Sequence, residues 1–411
     1  ALARASDEVR ARFAAATRVD VPEHETAQLS GPLVRGGMLT VVVNGRLVFV
    51  PFEADTVANS GLSALLDELA TIGAAGDLAI APGERVQKQG VTAATLAKFG
   101  LDEVQHAAAA LDDARRYLDG SVVDYFRRRL EACKADDGNF GPRKTLPVAL
   151  GILGAIEQHG REVKPDVRRQ LLSFGAEGAE FAGWLYRDIH DLATAGYWHD
   201  RATEWAQEAG DTGMQGYVLL KKSQMSYDER DALRVWTLAE AAQRGPWQLP
   251  TKVRAEVTQQ EALGLAMLGE PMDVIERKLD DARALLAALD PDDEQPGLLG
   301  AYFTEDTLLI RSASCYTEAG NAARAAALYD DVITSGVLSR RDKGFFRARR
   351  AAALALSGEP DEAATVGLES VQVARAMNSV RTVRVLSDVV CSLTPWSRRP
   401  AVRALREALS A

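Results

Sequence analysis

The sequence predicts a mostly α-helical protein in which helix hairpins repeat along the chain behind a small α+β portion. From Gly120 to Ala411, apolar residues recur at helical spacing in segments of about 12–18 residues. The breaks between these segments carry Gly, Pro or Asp, as in Gly210-Asp211 and Gly358-Glu359-Pro360. Ala, Leu, Arg and Glu are common, and these residues favour helix.

The N-terminal portion carries the clearest β signal. In the stretch MLTVVVNGRLVFVPF, residues 38–52, two runs rich in β-branched residues flank Asn44-Gly45. This dipeptide suits a type I′ turn, because both central residues of that turn need a positive φ. We therefore predict a β-hairpin at residues 38–52. We also predict two domains: a small α+β portion over 1–118 and a helical repeat domain over 119–411.

Composition and charge narrow the functional class. The chain has 411 residues, of which 47% are hydrophobic, so a large core is expected. A net charge of -10 repels phosphate on average and gives no support to nucleic-acid binding by this chain. Cys133, Cys315 and Cys391 are far apart, which favours free thiols in a reducing cytoplasm. No apolar run is long enough to predict a membrane span.

Motifs of catalysis and metal binding are missing from the sequence. It contains no GxxxxGK[ST], GxSxG, HExxH or HxxEH pattern. The glycines of residues 29–37 precede the predicted hairpin and do not open a helix, so they do not predict a dinucleotide site. The densest carboxylate cluster, DPDDE at residues 290–294, lacks calcium-loop spacing. We predict no enzyme activity, no catalytic residue, no metal site and no cofactor.

The stretch EFAGWLYRDIHDLATAGYWHDRATEWAQEAGD, residues 180–211, has the pattern of a tetratricopeptide repeat, a helix hairpin of about 34 residues. Gly183 and Tyr186 fall on a first helix. Ala195 and Ala202 are seven residues apart on a second helix, so they share a face and allow close helix packing. The same pattern recurs at residues 227–242, 267–282, 318–332 and 356–370.

This stretch is also rich in His and Trp. His190 and His199 lie nine residues apart across the predicted turn, so they do not form an HxxxH ligand pair. Tryptophan side chains pack against other side chains more often than they contact a cofactor, and this applies to Trp184, Trp198 and Trp205. We interpret the cluster as part of the repeat architecture.

Residues 179–211, followed by YVLLKKSQMSYDERD (217–231) and ALRVWTLAEAAQ (232–243), resemble the C-terminal region of actinomycete helix-turn-helix regulators of the XRE type. The resemblance covers roughly residues 118–390. It implies a tetratricopeptide-like helical superhelix that senses a ligand and dimerises in the cytoplasm. No complete five-helix DNA-binding domain precedes residue 118, so we expect DNA contact only through a further domain, which either lies before Ala1 or is absent from the gene product.

Tetratricopeptide superhelices present the first helix of each hairpin on a concave surface. Amides and cations interleaved with aromatic residues on that surface suit a peptide or a polar small molecule. Candidate ligand-binding residues in this frame are Trp184, Arg187, Tyr217, Lys221, Gln224, Gln260 and Arg311, with Glu180 on the same helix as Trp184 and Phe345 on a neighbouring hairpin.

Two functions follow as hypotheses. The first is a ligand- or peptide-sensing transcriptional regulator, in which this chain is the sensor and dimerisation region. The second is a protein–protein interaction scaffold that does not bind DNA. The acidic charge and the incomplete DNA-binding domain favour the second hypothesis, and the family resemblance favours the first.

Overall fold

The computed structural model describes residues 37–43, 46–52, 78–80, 102–289 and 299–410. Most of these residues are helical, which confirms the mostly α fold class. The chain divides into two compact units, residues 1–135 with 144–178 and residues 136–143 with 179–411. The sequence predicts a domain boundary between residues 118 and 119, which differs from the boundaries of these two units. That boundary stays a prediction.

The first unit contains a three-stranded antiparallel sheet. Its strands are β1 (Gly37–Val43), β2 (Arg46–Phe52) and β3 (Leu78–Ile80), in the order β2-β1-β3. Gly37 pairs with Phe52, and Val43 pairs with Arg46. The predicted hairpin turn, Asn44-Gly45, lies outside the described residues. β-Branched and aromatic residues dominate β1 and β2, as expected for strands.

Helices complete the first unit. They are α1 (Asp102–Asp112), α2 (Ala114–Tyr117), α3 (Gly120–Phe140), α4 (Pro142–His159) and α5 (Pro165–Asp188). The last residues of α3 and α5 and the first two residues of α4 belong to the second unit. Helix α1 packs against β1 and β2. Helices α3, α4 and α5 meet at Gly178, where an added Cβ would lie 3.1 Å from Leu153 and 3.5 Å from Leu130. Both leucines are fully buried.

Within the described ranges, the second unit contains six helix hairpins, beginning with the last turns of α5. The further helices are α6 (Leu192–Ala209), α7 (Thr212–Asp228), α8 (Ala232–Arg244), α9 (Thr251–Met267), α10 (Met272–Ala287), α11 (Glu305–Glu318), α12 (Ala322–Ser335), α13 (Arg340–Leu356), α14 (Pro360–Ala376), α15 (Val380–Ser392) and α16 (Pro400–Ser410). From α7 onward, the first helix of each hairpin also contacts the first helix of the next. The first helices therefore form one continuous layer.

The turns between helices follow the predicted breaks. Gly210 ends α6 with φ 72°, and the side chain of Asp211 accepts a hydrogen bond of 2.8 Å from the Met214 amide at the start of α7. A left-handed residue followed by a capping aspartate recurs at His190-Asp191 and Arg230-Asp231. Such caps satisfy backbone groups that a helix end leaves unpaired.

One predicted break is wrong. Asp136-Asp137-Gly138 was expected to interrupt the helical pattern, but α3 continues through these residues to Phe140. The Asp137 carboxylate accepts a 3.1 Å hydrogen bond from the Trp184 indole and pairs with Arg341. These tertiary contacts hold in place a segment whose composition favours a turn.

Small residues lie where the helices of a hairpin approach most closely, as predicted. A Cβ on Gly183 would lie 2.5 Å from the His199 ring and 3.3 Å from the Ala195 carbonyl oxygen. Ala195 and Ala202 are both fully buried. His199 therefore packs between α5 and α6, which agrees with its interpretation as an architectural residue.

Gly264 lies against backbone atoms, because an added Cβ would lie 2.7 Å from the Cα of Trp236 in α8. We predict that Gly264→Ala lowers the free energy of unfolding by about 1–3 kcal/mol, since the helix backbone must move. Urea denaturation followed by circular dichroism measures this change.

The matched control is Gly196→Ala in α6, where the nearest atom is 3.9 Å away on Met225. Alanine fits there and gains up to about 1 kcal/mol from helix propensity. Equal changes in the two variants would contradict the close packing of α8 against α9.

Candidate ligand-binding site

A buried carboxylate, Glu256 of α9, organises the first polar cluster. The Gln224 amide donates to Glu256 at 2.7 Å, and Arg311 of α11 contacts it at 2.7 Å. The hydroxyl of Tyr302, in the segment before α11, donates at 2.7 Å to the other carboxylate oxygen. Lys221 of α7 donates to the Tyr302 hydroxyl at 2.6 Å. We call these five residues the Glu256 cluster.

Lys221 lies between two aromatic rings. Its ammonium nitrogen is 4.4 Å from the ring centroid of Tyr217 and 4.8 Å from that of Tyr302. A second carboxylate, Glu180 of α5, lies 3.9 Å from the same nitrogen. Ring faces attract a cation at these distances. Lys221 and Arg311 are thus balanced by two carboxylates.

The charges of this cluster determine its protonation. Burial alone would raise the pKa of Glu256, but the charges of Lys221 and Arg311, together with the hydrogen bonds from Tyr302 and Gln224, outweigh burial and lower it. Burial likewise opposes the charge of Lys221, and the neighbouring acidic groups outweigh it and raise the pKa of the lysine. Each group therefore stabilises the charged form of its partner, and Glu256, Lys221 and Arg311 are charged near neutral pH whereas Tyr302 is neutral.

The Glu256 cluster has a buried base and an accessible side. Glu256 is 0% exposed, whereas Tyr302 is 45% exposed and the Arg311 side chain is 24% exposed. A ligand at this face would meet an aromatic ring, a guanidinium and an ammonium group. Such a set can hold carbonyl, hydroxyl or carboxyl oxygens while the ring packs on apolar atoms.

A second cluster surrounds Asp228 at the end of α7. Arg187 of α5 donates from Nε to one carboxylate oxygen, and Arg381 of α15 lies 3.4 Å from both. Arg349 of α13 lies over the rings of Tyr227 and Phe345, at 4.5 and 5.7 Å. We call Arg187, Arg349, Arg381 and Arg341 the arginine cluster.

Aromatic rings hold these guanidinium groups. Arg341, Arg381 and Arg187 lie 4.9, 5.4 and 5.7 Å from the Trp184 ring. Arg381 also lies 3.8 Å from the centroid of Phe345. Arginine stacks on such faces because its guanidinium is planar and weakly hydrated.

Cations dominate the surroundings of Asp228. Burial opposes the charge of this carboxyl, but Arg187 and Arg381 outweigh it and lower its pKa to about 2. Burial lowers the pKa of Arg381 to about 10, and repulsion from Arg187 and Arg349 adds to the effect although Asp228 opposes it. Asp228 and Arg381 are therefore both charged near neutral pH.

The structure brings together six of the seven predicted ligand-binding residues in these two clusters. Lys221, Gln224 and Arg311 contact Glu256 or its partner Tyr302, and Tyr217 contacts Lys221. Trp184 and Arg187 belong with the arginine cluster. Gln260 is different: it is buried in α9, and its side-chain nitrogen has no hydrogen-bond partner among the described residues. Whether any of the seven binds a ligand stays a prediction.

Several residues of the clusters were missed, although a helical signal pointed to three of them. Glu256, Asp228 and Arg349 each lie four positions from a predicted residue on the same first helix: Gln260, Gln224 and Phe345, respectively. Residues at this spacing share a helix face. Tyr302 had no such signal, because it lies outside a helix.

Among the residues that the structure describes, no group of three or more His, Cys, Asp or Glu side chains could hold a metal ion. No helix in those ranges combines the length and apolarity that a membrane crossing requires. Compared with protein-family models and with curated proteins, the chain gives no match.

Proposed function

We propose that the second unit is a ligand-binding module of tetratricopeptide-like type, and that it acts as the sensor of a transcriptional regulator. The observation that supports this proposal most is the convergence on Glu256 of α9 of side chains from α7, α11 and the segment before α11. Burying a carboxylate is costly unless it is paired and hydrogen-bonded. A purely structural layer would avoid that cost with apolar residues.

The ligand of the Glu256 cluster is a peptide or a polar small molecule. Lys221 and Arg311 offer N–H donors to oxygen atoms, and the exposed ring of Tyr302 offers apolar contact. The donors are fixed before binding by their own ion pairs, so little conformational entropy is lost on complex formation. Preorganised donors on rigid helices favour specific recognition.

The regulatory step is a population shift. A ligand that contacts several first helices favours one arrangement of the hairpins over another. In a homodimer, that arrangement sets the spacing of two DNA-binding domains, which this proposal places outside the residues of the helical array. The resemblance to helix-turn-helix regulators motivates this part of the proposal.

Exchange of the exposed tyrosine tests the ligand site. We predict that size-filtered cell extract raises the melting temperature of the full chain, and that Tyr302→Ala removes most of that rise. The matched control is Tyr197→Ala in α6, since Tyr197 is 47% exposed and lies on a second helix. Equal stabilisation of the wild type and both variants would contradict a site at Tyr302.

DNA binding is tested separately by an electrophoretic mobility shift. The full-length gene product is mixed with the DNA upstream of its own gene, with and without the stabilising extract fraction. A shift that the fraction changes supports the regulator. Extract-induced stabilisation without any shift leaves a ligand-binding module that does not regulate through this DNA.

A protein-binding scaffold is the second candidate. The net charge of -10 favours it, because that charge opposes contact between this chain and a nucleic acid. Size-filtered extract would then give no stabilisation, whereas the protein fraction of the same extract would contain a partner that Tyr302→Ala fails to bind.

A further inference from the structure

We propose that the arginine cluster is an anion-binding subsite that takes a carboxylate or phosphate group of the ligand. This inference rests on the proposed function, since it names the chemistry of the ligand at a second position on the same first helices. Its central residue is Arg349 of α13, which sequence reasoning did not single out.

The charges around Asp228 do not balance. Three guanidinium groups, those of Arg187, Arg349 and Arg381, surround this one carboxylate. Arg187 and Arg381 occupy its two oxygens. Arg349 contributes to the local field but has no carboxylate within 4.0 Å among the described residues, and its Nε has no hydrogen-bond partner there.

Other carboxylates near Arg349 are already engaged. Glu318 accepts hydrogen bonds from both terminal nitrogens of Arg230, at 2.6 and 2.7 Å, and from the hydroxyl of Tyr227 at 2.7 Å. Asp188 accepts a 2.8 Å hydrogen bond from Ser379, and burial raises the pKa of this carboxyl. Neither group forms a direct ion pair with Arg349 within 4.0 Å, although the charge of Glu318 contributes to raising the pKa of this arginine.

The rings beside Arg349 define how an anion would be received. Phe345 lies against Arg349 on one side and against Arg381 at 3.8 Å, so two guanidinium groups share one aromatic neighbour. Ring contacts use guanidinium faces and leave in-plane N–H donors available to oxygen atoms. The in-plane N–H donors of the two guanidinium groups suit an oxyanion with two or three acceptor oxygens. Hydrogen bonds to a charged acceptor are strong.

Burial opposes the charge of Arg349, but neighbouring acidic groups, among them Glu318 and Asp228, outweigh burial and raise the pKa of this arginine. Arg349 therefore stays charged although it has no direct carboxylate partner among the described residues. Arg349→Met keeps the volume of the side chain and removes the charge. We predict that, without added anion, this variant melts within a few degrees of the wild type, and that it loses the stabilisation that a bound anion gives.

The experiment measures the melting temperature of the full chain with inorganic phosphate, N-acetylphenylalanine or N-acetylphenylalaninamide, with ionic strength held constant by NaCl. We expect the phosphate or the free carboxylate to raise the melting temperature, and the amide to have no effect. In Arg349→Met the dissociation constant of the active probe should rise about tenfold or more. Which probe is active distinguishes a phosphate from a carboxylate ligand.

The matched control is Arg347→Met on the same helix. Arg347 lies 3.2 Å from Glu369 of α14 and is not part of the arginine cluster. It should retain the anion effect in full. Equal anion effects in Arg349→Met and the wild type would place the anion elsewhere and overturn the inference, as would probes that stabilise the wild type no more than NaCl.

Failure of this inference and failure of the proposed function give different results. Extract-induced stabilisation that depends on Tyr302 but not on Arg349 leaves the sensor proposal standing with a neutral ligand. Anion binding that depends on Arg349, together with extract that has no effect, leaves an anion site without support for a sensor.

Discussion

Glu256→Ala is expected to lower the free energy of unfolding by about 3–5 kcal/mol, the largest single-residue effect predicted for this chain. The change removes the carboxylate that pairs with Arg311 at 2.7 Å and accepts hydrogen bonds from Gln224 and Tyr302. Arg311 and Lys221 would then remain poorly solvated with only Glu180 as a countercharge. Urea denaturation followed by circular dichroism measures the loss.

Glu276→Ala is the control for Glu256→Ala. Glu276 pairs with Arg324 at 2.6 Å, but both side chains are exposed, so its loss should cost less than about 1 kcal/mol. A double variant, Glu256→Met with Arg311→Met, should be more stable than Glu256→Ala, because it leaves no new unpaired charge. Similar losses in Glu256→Ala and Glu276→Ala would show that burial does not strengthen the first pair.

Acidification is expected to destabilise the fold through His199. Burial, with smaller contributions from Arg187 and Lys222, lowers the pKa of His199 from 6.5 to about 3. The unfolded chain therefore binds a proton below pH 6.5 that the folded chain does not bind until about pH 3. The stability that depends on neutral His199 is complete above pH 6.5 and is lost as the pH falls toward 3.

Between about pH 7.5 and pH 5, this linkage should lower the free energy of unfolding by about 2 kcal/mol. Urea denaturation at the two pH values, compared for the wild type and His199→Gln, measures the contribution. On acidification, the free energy of unfolding should fall less in His199→Gln than in the wild type. The control is His106→Gln, because the His106 side chain is 40% exposed, and its free energy of unfolding should fall as much as in the wild type. An unchanged loss in His199→Gln would contradict a buried neutral imidazole.

Much of the helical architecture could be predicted because local rules and tertiary packing agree. The break at Gly210-Asp211 carries both a left-handed residue and a capping side chain, so the sequence indicates it directly. Asp136-Asp137-Gly138 carries a similar local signal, yet it is helical, because Trp184 and Arg341 bind Asp137. A local rule fails where a distant partner supplies more stabilisation than a turn would.

The two polar clusters could be predicted only in part. Helical spacing places Lys221, Gln224 and Arg311 on first helices, and the structure brings them to one carboxylate. Spacing cannot indicate which charges pair, because that depends on how helices far apart in sequence align. The surplus of cations around Asp228 is therefore visible only in three dimensions, and so is the unpaired state of Arg349.

The pairing of Asp188 with Ser379, 191 residues apart, has a consequence for folding. In a linear repeat array each hairpin contacts only its neighbours, so its ends can fray independently. Here Asp228–Arg381 and Asp137–Arg341 also join the beginning of the array to its last hairpins. Such a high contact order slows folding, because long loops must close before the contacts form. It also couples the terminal hairpins to the rest, so that the second unit is expected to unfold in one cooperative transition.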